Sequence, residues 1–207
     1  TPQSQQRALN VMPAQQWVLV ASADGPEAAL TQALVSQLLA AGQQVTVLVP
    51  QALTQIAAPQ QIVLLAGLYS EDGLSGQTGR CMLAAQLLQL CEARGITCSV
   101  WLLAHGAARH LLPDMPALPV HEIADAAFWG FGRTLINEYP RYKVCLLDLP
   151  GAIDAERVAA VLLAQDTESE IALTAERQRG ISRLRILPDH LECGSSAPPS
   201  NQRWLSF

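Results

Sequence analysis

The chain alternates short apolar runs with longer segments of helical periodicity, and this alternation constrains the fold more than any other feature. Apolar runs of this length predict buried strands, and the segments between them place their leucines on one helical stripe. The predicted strands are 17–21, 45–49, 62–66, 98–103, 143–149, 170–174 and 181–184. The predicted helices are 26–41, 80–93, 122–138 and 154–164. Because the two types alternate through short connections, the sequence predicts an α/β fold, a truncated Rossmann-like, doubly wound and mainly parallel sheet flanked by helices.

The composition suits a buried parallel sheet and excludes two classes of partner. Of the 207 residues, 50% are hydrophobic but only 5% are aromatic, so the core must be aliphatic. Charged residues make up 15%, the net charge is −5, and lysine and arginine form no cluster. Nucleic acid is therefore not an expected partner. No apolar run reaches about 18 residues, so we expect no contact with a membrane.

Both ends of the chain have the composition of connecting segments. Residues 1–14 are rich in glutamine and contain two prolines, which predicts a linker or an N-terminal arm. Residues 188–207 are rich in proline and serine, which predicts a linker towards a next domain. Between them, residues 15–187 form the predicted Rossmann-like domain. Since the start has neither an initiator methionine nor the apolar core of a signal peptide, we expect an excised fragment of a cytoplasmic protein.

The cysteines and histidines do not indicate a metal site. The five cysteines are odd in number and scattered, and none forms a Cys-x-x-Cys pair. The four histidines stand at no ligand spacing from them. The sequence therefore predicts reduced thiols and no bound metal.

The turn after the first predicted strand decides whether a dinucleotide binds. Such a site needs several glycines, because the backbone must approach the pyrophosphate and direct helix N–H groups at it. Here the turn has one glycine, Gly25, while Asp24 and Glu27 place negative charge where phosphates would bind and Pro26 removes a donor. After the second strand, Pro50 stands where a ribose-binding residue is usual. The sequence therefore predicts no cofactor.

A second group of glycines follows the third strand. Gly67, Gly73, Gly76 and Gly79 do not form the Gly-x-Gly-x-x-Gly motif, and they do not lead directly from a strand into a helix. We interpret this segment as a flexible loop.

Tyr139 and Lys143 have the Tyr-x-x-x-Lys spacing that many nicotinamide-dependent reductases use for proton transfer. That chemistry requires both side chains on one face of a continuous helix. Pro140 disfavours helical geometry at Tyr139, and Lys143 opens a predicted strand. The two side chains are therefore expected to diverge, and we interpret the spacing as coincidental.

The remaining candidates for proton transfer have structural interpretations. His105 and His121 have no Ser, Cys or Asp at a spacing that would indicate a catalytic partner, and they are expected to be structural or surface residues. Glu122 and Asp125 are expected in the first turn of a helix, where negative charge suits the helix dipole. Asp148, at the end of a buried strand, is expected to accept hydrogen bonds from backbone or arginine. The sequence thus predicts no catalytic, cofactor-binding or metal-ligating residue.

The segment 126–139 and the strand after it resemble the catalytic helix and following strand of short-chain dehydrogenases/reductases. On this resemblance the family tyrosine falls at His121 and the family lysine at Asp125. The family serine falls within 104–106, where the chain has no serine. The resemblance implies a reductase fold whose catalytic positions hold other residues. Phe128, Trp129, Phe131, Gly132 and Arg133 are then expected to keep a packing role.

A closer resemblance is to the structural subdomain of modular type I polyketide synthase ketoreductases. Four segments carry it in the family's order: 17–20 with the following helix, 100–107, 126–149 with its Trp-Gly-x-Gly-Arg motif, and 172–184. The family's catalytic subdomain is a second Rossmann unit, which this chain lacks. The tail 191–207 resembles the linker that precedes an enoylreductase domain.

The resemblance implies a non-catalytic, scaffolding role rather than an enzyme. Its partners would be neighbouring domains of the same polyketide synthase, either a catalytic ketoreductase subdomain or an enoylreductase. One alternative is a free-standing NADPH-dependent short-chain reductase that uses Tyr139 and Lys143. Another is an independent docking or dimerisation module, for which a large exposed apolar patch would speak.

Overall fold

The computed structural model describes residues 13–70, 73–108, 125–149, 155–164, 167–173 and 179–181, and of these it describes 179–181 by their backbone only. The strands are β1 (Gln16–Val20), β2 (Gln44–Leu48), β3 (Gln61–Leu64), β4 (Ser99–His105), β5 (Lys143–Leu149), β6 (Glu170–Leu173) and β7 (Arg179–Ile181). The α-helices are α1 (Ala28–Ala40), α2 (Gly73–Ala93), α3 (Ala126–Glu138) and α4 (Ala155–Ala164). A 3-10 helix, Pro50–Gln55, follows β2.

The strands form one sheet in the order β2-β1-β3-β4-β5-β6-β7. All neighbours pair in parallel except β6 and β7, which are antiparallel. The strand order reverses at β1, so the topological switch point lies between β1 and β3. The full dinucleotide-binding sheet would continue beyond β2 with a further strand, whereas β2 is an edge strand in the described sheet. The predicted truncated, doubly wound α/β fold is confirmed.

Alternate side chains of the strands supply two separate cores, one on each face of the sheet. Trp17 and Leu19 point towards α1 and α4, whereas Val18 and Val20 point towards α2 and α3. Strands buried on both faces have no polar side, which is why they appear in the sequence as continuous apolar runs. Because helices cover both faces of the sheet, polar side chains meet at the ends of the strands.

Most predicted elements are present, but two helix starts were wrong. The segment 73–79, predicted as a loop, is the first part of α2, so Gly76 and Gly79 are helical, while Gly73 is the first residue of the helix and has a φ of 55°. Glycine disfavours helix by about 1 kcal/mol relative to alanine, and here the packing of the later turns on the sheet outweighs this cost. Helix α1 begins at Ala28 rather than at Pro26.

Several predictions fall on residues outside the described ranges. These are the structure of segment 1–12, the helical start at 122, residues 182–184 of the last predicted strand and the whole linker at 188–207, with His121 and Glu122 among the candidate residues. Within the described helices, none combines the length and apolar character that a membrane crossing requires.

Candidate functional site at the carboxyl edge of the sheet

The loops that follow β1 and β3 meet at the switch point, where ligands of doubly wound proteins bind. In this chain the meeting point is occupied by Glu27, whose side chain is completely buried. Its Oε1 accepts hydrogen bonds from the backbone N–H groups of Ser22, at 2.9 Å, and Gly67, at 3.2 Å. One carboxylate oxygen therefore connects the two loops.

The second oxygen of Glu27 is buried and has no hydrogen-bond partner among the described residues. Gly25 makes room for it, since a Cβ at this position would lie 2.4 Å from Oε2. Asp24, the other acidic residue of the turn, is exposed. Of the two negative charges that the sequence places in this turn, only Glu27 therefore lies inside the protein.

Gly67 is constrained from two directions. Its φ of 77° lies in the left-handed region that favours glycine. A Cβ there would also lie 3.0 Å from Cγ of Arg80. The residue thus brings its N–H close to Glu27 while leaving space for the arginine of α2.

Arg80 is a buried cation that joins α2 to α3. Its Nη1 lies 2.5 Å from Oδ1 of Asp125, and its Nη2 donates to the backbone carbonyl of Leu103. The guanidinium carbon lies 4.1 Å from the centre of the Phe128 ring, a cation–π contact. Oδ2 of Asp125 accepts the N–H of His105 at 2.8 Å.

The prediction that Asp125 lies in the first turn of the helix was wrong by one position. Asp125 is the N-cap residue of α3, and its side chain makes no capping hydrogen bond. The carboxylate instead turns inward, because a buried arginine with hydrogen-bonding partners outweighs a half-charge at a helix end. This is also the residue that the family resemblance aligns with the catalytic lysine of reductases.

Asp148, near the end of β5, fixes the loop that follows β4. Its Oδ1 accepts the N–H of Ala107 at 2.8 Å, and its Oδ2 accepts the N–H of Ala108 at 2.9 Å. The prediction of backbone hydrogen bonds at Asp148 is confirmed. The resemblance places the reductase serine within 104–106, directly before these two residues.

Tyr69 and His105 form an edge-on aromatic pair between these carboxylates, with ring centres 4.9 Å apart. Burial and, to a lesser degree, the charges of Asp148 and Asp125 raise the pKa of Tyr69 to about 12. Tyr69 also has a φ of 64°, which is rare for a non-glycine residue. A phenol that holds its proton this strongly is a hydrogen-bond donor at neutral pH rather than a proton-transfer acid.

Tyr139 and Lys143 do not share a helix face. Helix α3 ends at Glu138, Tyr139 is its C-cap residue, and Lys143 is the first residue of β5. The Tyr139 ring instead packs edge-on to Tyr142, with centres 6.2 Å apart. The predicted divergence at the helix–strand junction is confirmed.

The Trp-Gly-x-Gly-Arg motif packs α3 onto the sheet. A Cβ at Gly132 would lie 2.3 Å from Cδ2 of Leu146, so the helix backbone lies directly against β5. Arg133 forms two hydrogen bonds with Glu170 of β6, at 3.0 and 2.7 Å, and these raise its pKa. The expected packing role of Gly132 and Arg133 agrees with these contacts.

Sequence reasoning missed Arg80 and Tyr69. Arg80 had one detectable signal, because it is a lone cation on a helix face otherwise formed by alanine, leucine and cysteine. Tyr69 had none, since its importance depends on loops that are distant in sequence. Across the described residues, no three His, Cys, Asp or Glu side chains converge in a way that would hold a metal ion.

No family model matches the chain. Polyketide synthase GfsA from Streptomyces halstedii is 30% identical over 120 residues, which is 55% of this chain and 2% of that protein. The chain thus spans only a small part of the length of its curated relative.

Solved structures share the fold. A C2-type ketoreductase from a modular polyketide synthase has a TM-score of 0.60 at 20% identity, covering 81% of this chain and 39% of that chain. An N-terminal ketoreductase from the macrolactin assembly line has a TM-score of 0.54 at 12% identity, covering 84% and 41%. A short-chain dehydrogenase from Burkholderia cenocepacia, solved with NADP, has a TM-score of 0.53 at 15% identity, covering 78% and 89%. The chain therefore has a ketoreductase-like Rossmann fold and is similar in sequence to a segment of a polyketide synthase.

Proposed function

We propose that this chain is a non-catalytic structural subdomain of a polyketide synthase module, which supports an adjacent catalytic ketoreductase subdomain or enoylreductase. The observation that carries the proposal is the buried carboxylate of Glu27 at the switch point. It uses the N–H groups of both neighbouring loops, which a dinucleotide pyrophosphate would need.

Electrostatics supports the same proposal. A pyrophosphate placed against Glu27 would bring like charges together in a poorly solvated site, where their repulsion is much larger than in water. At the position that the resemblance gives to the reductase lysine, Asp125 is paired with Arg80. An acceptor-only carboxylate cannot replace an ammonium group in donating a proton.

The surface of α2 supports a partner at that helix. Leu74 and Met82 are 76% and 57% exposed on it. Among the charged residues of α2, Arg80 is buried and only Glu92 is exposed. A long helix with so few exposed charges suits packing against another protein domain better than contact with water.

An NADPH fluorescence titration of the purified chain tests the central claim. We expect no saturable binding and no reduction of a simple cyclic ketone. The short-chain dehydrogenase from Burkholderia cenocepacia is a suitable positive control, since it was solved with NADP. Binding in the micromolar range would favour the free-standing reductase instead and would contradict the proposal.

The supporting role needs a second experiment, in the parent polyketide synthase. Met82→Lys and Leu74→Lys would place charges on the exposed face of α2, and we expect them to weaken the association with the adjacent domain. Leu39→Lys, on the exposed part of α1, is the matched control. If all three variants behave alike, α2 is not the supporting surface. Self-association of the isolated chain in sedimentation, lost in the α2 variants, would favour a dimerisation module.

A further inference from the structure

The switch point contains an anion-binding arrangement that the chain fills itself. The N–H groups of Ser22 and Gly67 come from two different loops and converge on one oxygen of Glu27. Glu27 is also the N-cap residue of α1, at the positive end of the helix dipole. Converging backbone N–H groups at a helix start are a general device for binding oxyanions.

The carboxylate is held without a cation among the described residues. Glu27 takes part in neither of the ion pairs described above, Arg80 with Asp125 and Arg133 with Glu170. Its Oε2 has no hydrogen-bond partner there although it is completely buried. What the surroundings offer to a negative charge at this position is two backbone N–H groups, of Ser22 and Gly67, and the positive end of the α1 dipole.

Gly25 is explained by the same carboxylate. A Cβ on Gly25 would lie 2.4 Å from Oε2 and 2.8 Å from Cδ of Glu27. The single glycine of this turn is thus needed by the side chain that fills the site.

We propose that Glu27 is an internal ligand, whose carboxylate occupies a small-oxyanion site at the switch point, and that this site binds acetate once the side chain is removed. Acetate has the size and charge of the group that Glu27→Ala deletes. The inference deepens the proposed function, because it identifies what occupies the position of a nucleotide phosphate, and it rests on that function only in taking the wild-type chain to be free of nucleotide.

Chemical rescue tests this inference. The melting temperatures of the wild-type chain and of Glu27→Ala are measured in sodium acetate and in sodium chloride at equal ionic strength and pH 7. We expect Glu27→Ala to melt several degrees lower in chloride and to recover at least half of this loss in acetate, with a saturating dependence on concentration. The wild-type chain should melt at the same temperature in both salts. Equal acetate effects on both proteins would overturn the inference.

Glu27→Gln is the matched variant, because it keeps the size and the acceptor oxygen but removes the charge. Its melting temperature should fall less than that of Glu27→Ala and should not rise in acetate, since the glutamine side chain still occupies the site. An acetate response in Glu27→Gln as large as in Glu27→Ala would contradict an internal ligand.

A second measurement does not depend on added ligand and remains available if Glu27→Ala folds poorly in chloride. Gly25→Ala should lower the melting temperature in the wild-type background, where the new Cβ meets the carboxylate. In the Glu27→Ala background, measured in acetate-free sucrose, Gly25→Ala should lower the melting temperature only slightly. An equal loss in both backgrounds would show that Gly25 serves the backbone and not Glu27.

The outcomes separate this inference from the proposed function. NADPH binding by the wild-type chain would end the proposed function and leave the acetate experiment interpretable. Absence of acetate rescue would end the internal-ligand inference while the lack of NADPH binding stands.

Discussion

The two ends of the strands are closed by different chemistry. At the amino edge, neutral glutamine side chains hold the chain together: Gln43 accepts from the Trp17 indole at 3.2 Å and donates to the Ala41 carbonyl. Gln61 accepts from the Trp101 indole at 3.2 Å. At the carboxyl edge, buried carboxylates take this role by accepting hydrogen bonds from backbone N–H groups.

The difference follows from what each edge presents. The carboxyl edge contains the loops that follow β1, β3 and β4, and backbone N–H groups that leave the sheet there need acceptors outside it. The acceptor-only carboxylates of Glu27, Asp125 and Asp148 supply these acceptors. The amino edge presents indole N–H groups and carbonyls together, and an amide side chain can serve both. The charged edge is where a doubly wound protein binds its ligand, and here its charges are used internally.

The largest expected effect comes from leaving one charge of the carboxyl edge without its partner. Arg80→Met should lower the free energy of unfolding by about 3–5 kcal/mol, because Asp125 then stays buried without its cation. Urea unfolding followed by circular dichroism measures the loss. Arg80→Met combined with Asp125→Asn should be less destabilised than Arg80→Met alone, since the amide oxygen can still accept from His105. A double mutant that costs the sum of both single changes would show that the pair is not coupled.

Asp148→Asn tests a carboxylate that uses both oxygens. The new amide group would direct its own N–H at the N–H of Ala107 or Ala108, so we expect a loss of about 2–3 kcal/mol in the free energy of unfolding. Asp24→Asn, an exposed acid of the same edge, is the control and should stay within about 0.5 kcal/mol. Similar losses in the two variants would mean that net charge, not hydrogen bonding, matters at this edge.

Substitutions at the amino edge, where the side chains are neutral, should lower the free energy of unfolding by less. Gln61→Met removes the acceptor of the buried Trp101 indole and should cost about 1–2 kcal/mol in unfolding free energy. Gln44→Met, at the exposed first residue of β2, should change it by less than about 0.5 kcal/mol. Tryptophan fluorescence during denaturant unfolding reports both. A loss at Gln61 as large as that of Arg80→Met would erase the contrast between the edges.

The smallest effect is a pH dependence at the charged edge. The pKa of Tyr69 is raised to about 12 in the folded protein, against an ordinary value of about 10. A raised folded pKa gives stability that is fully present below about pH 10 and is lost as the pH rises towards 12. After allowance for its partial exposure, the loss should be on the order of 1 kcal/mol.

The phenolate absorbance difference between the wild-type chain and Tyr69→Phe isolates this titration from that of the other two tyrosines. Asp148→Asn should move the Tyr69 pKa down, because it removes one of the charges that raise it. Titration of Tyr69 near pH 10 would show that neither burial nor the two carboxylates raise its pKa.

The sequence predicted more of the fold than of the candidate site. Continuous apolar runs marked the parallel strands because both faces of those strands are buried, and β5 was predicted at its observed ends. Gly73, Gly76 and Gly79 misled the prediction of α2, since local propensity carries no information about packing on the sheet. At the site, the sequence located Glu27 and Asp148 by their places after strands, yet gave no partner for Asp125.

What the sequence determined by itself is the α/β architecture, the missing glycines of the first turn, and the break between Tyr139 and Lys143. Each depends on residues close together in the chain, where backbone preference and periodicity act. The tertiary structure alone decided that Glu27 lies inside the switch point and that Arg80 pairs with Asp125. Those contacts join residues 40 and more positions apart, and only the crossing of the chain at the carboxyl edge brings them within hydrogen-bond distance.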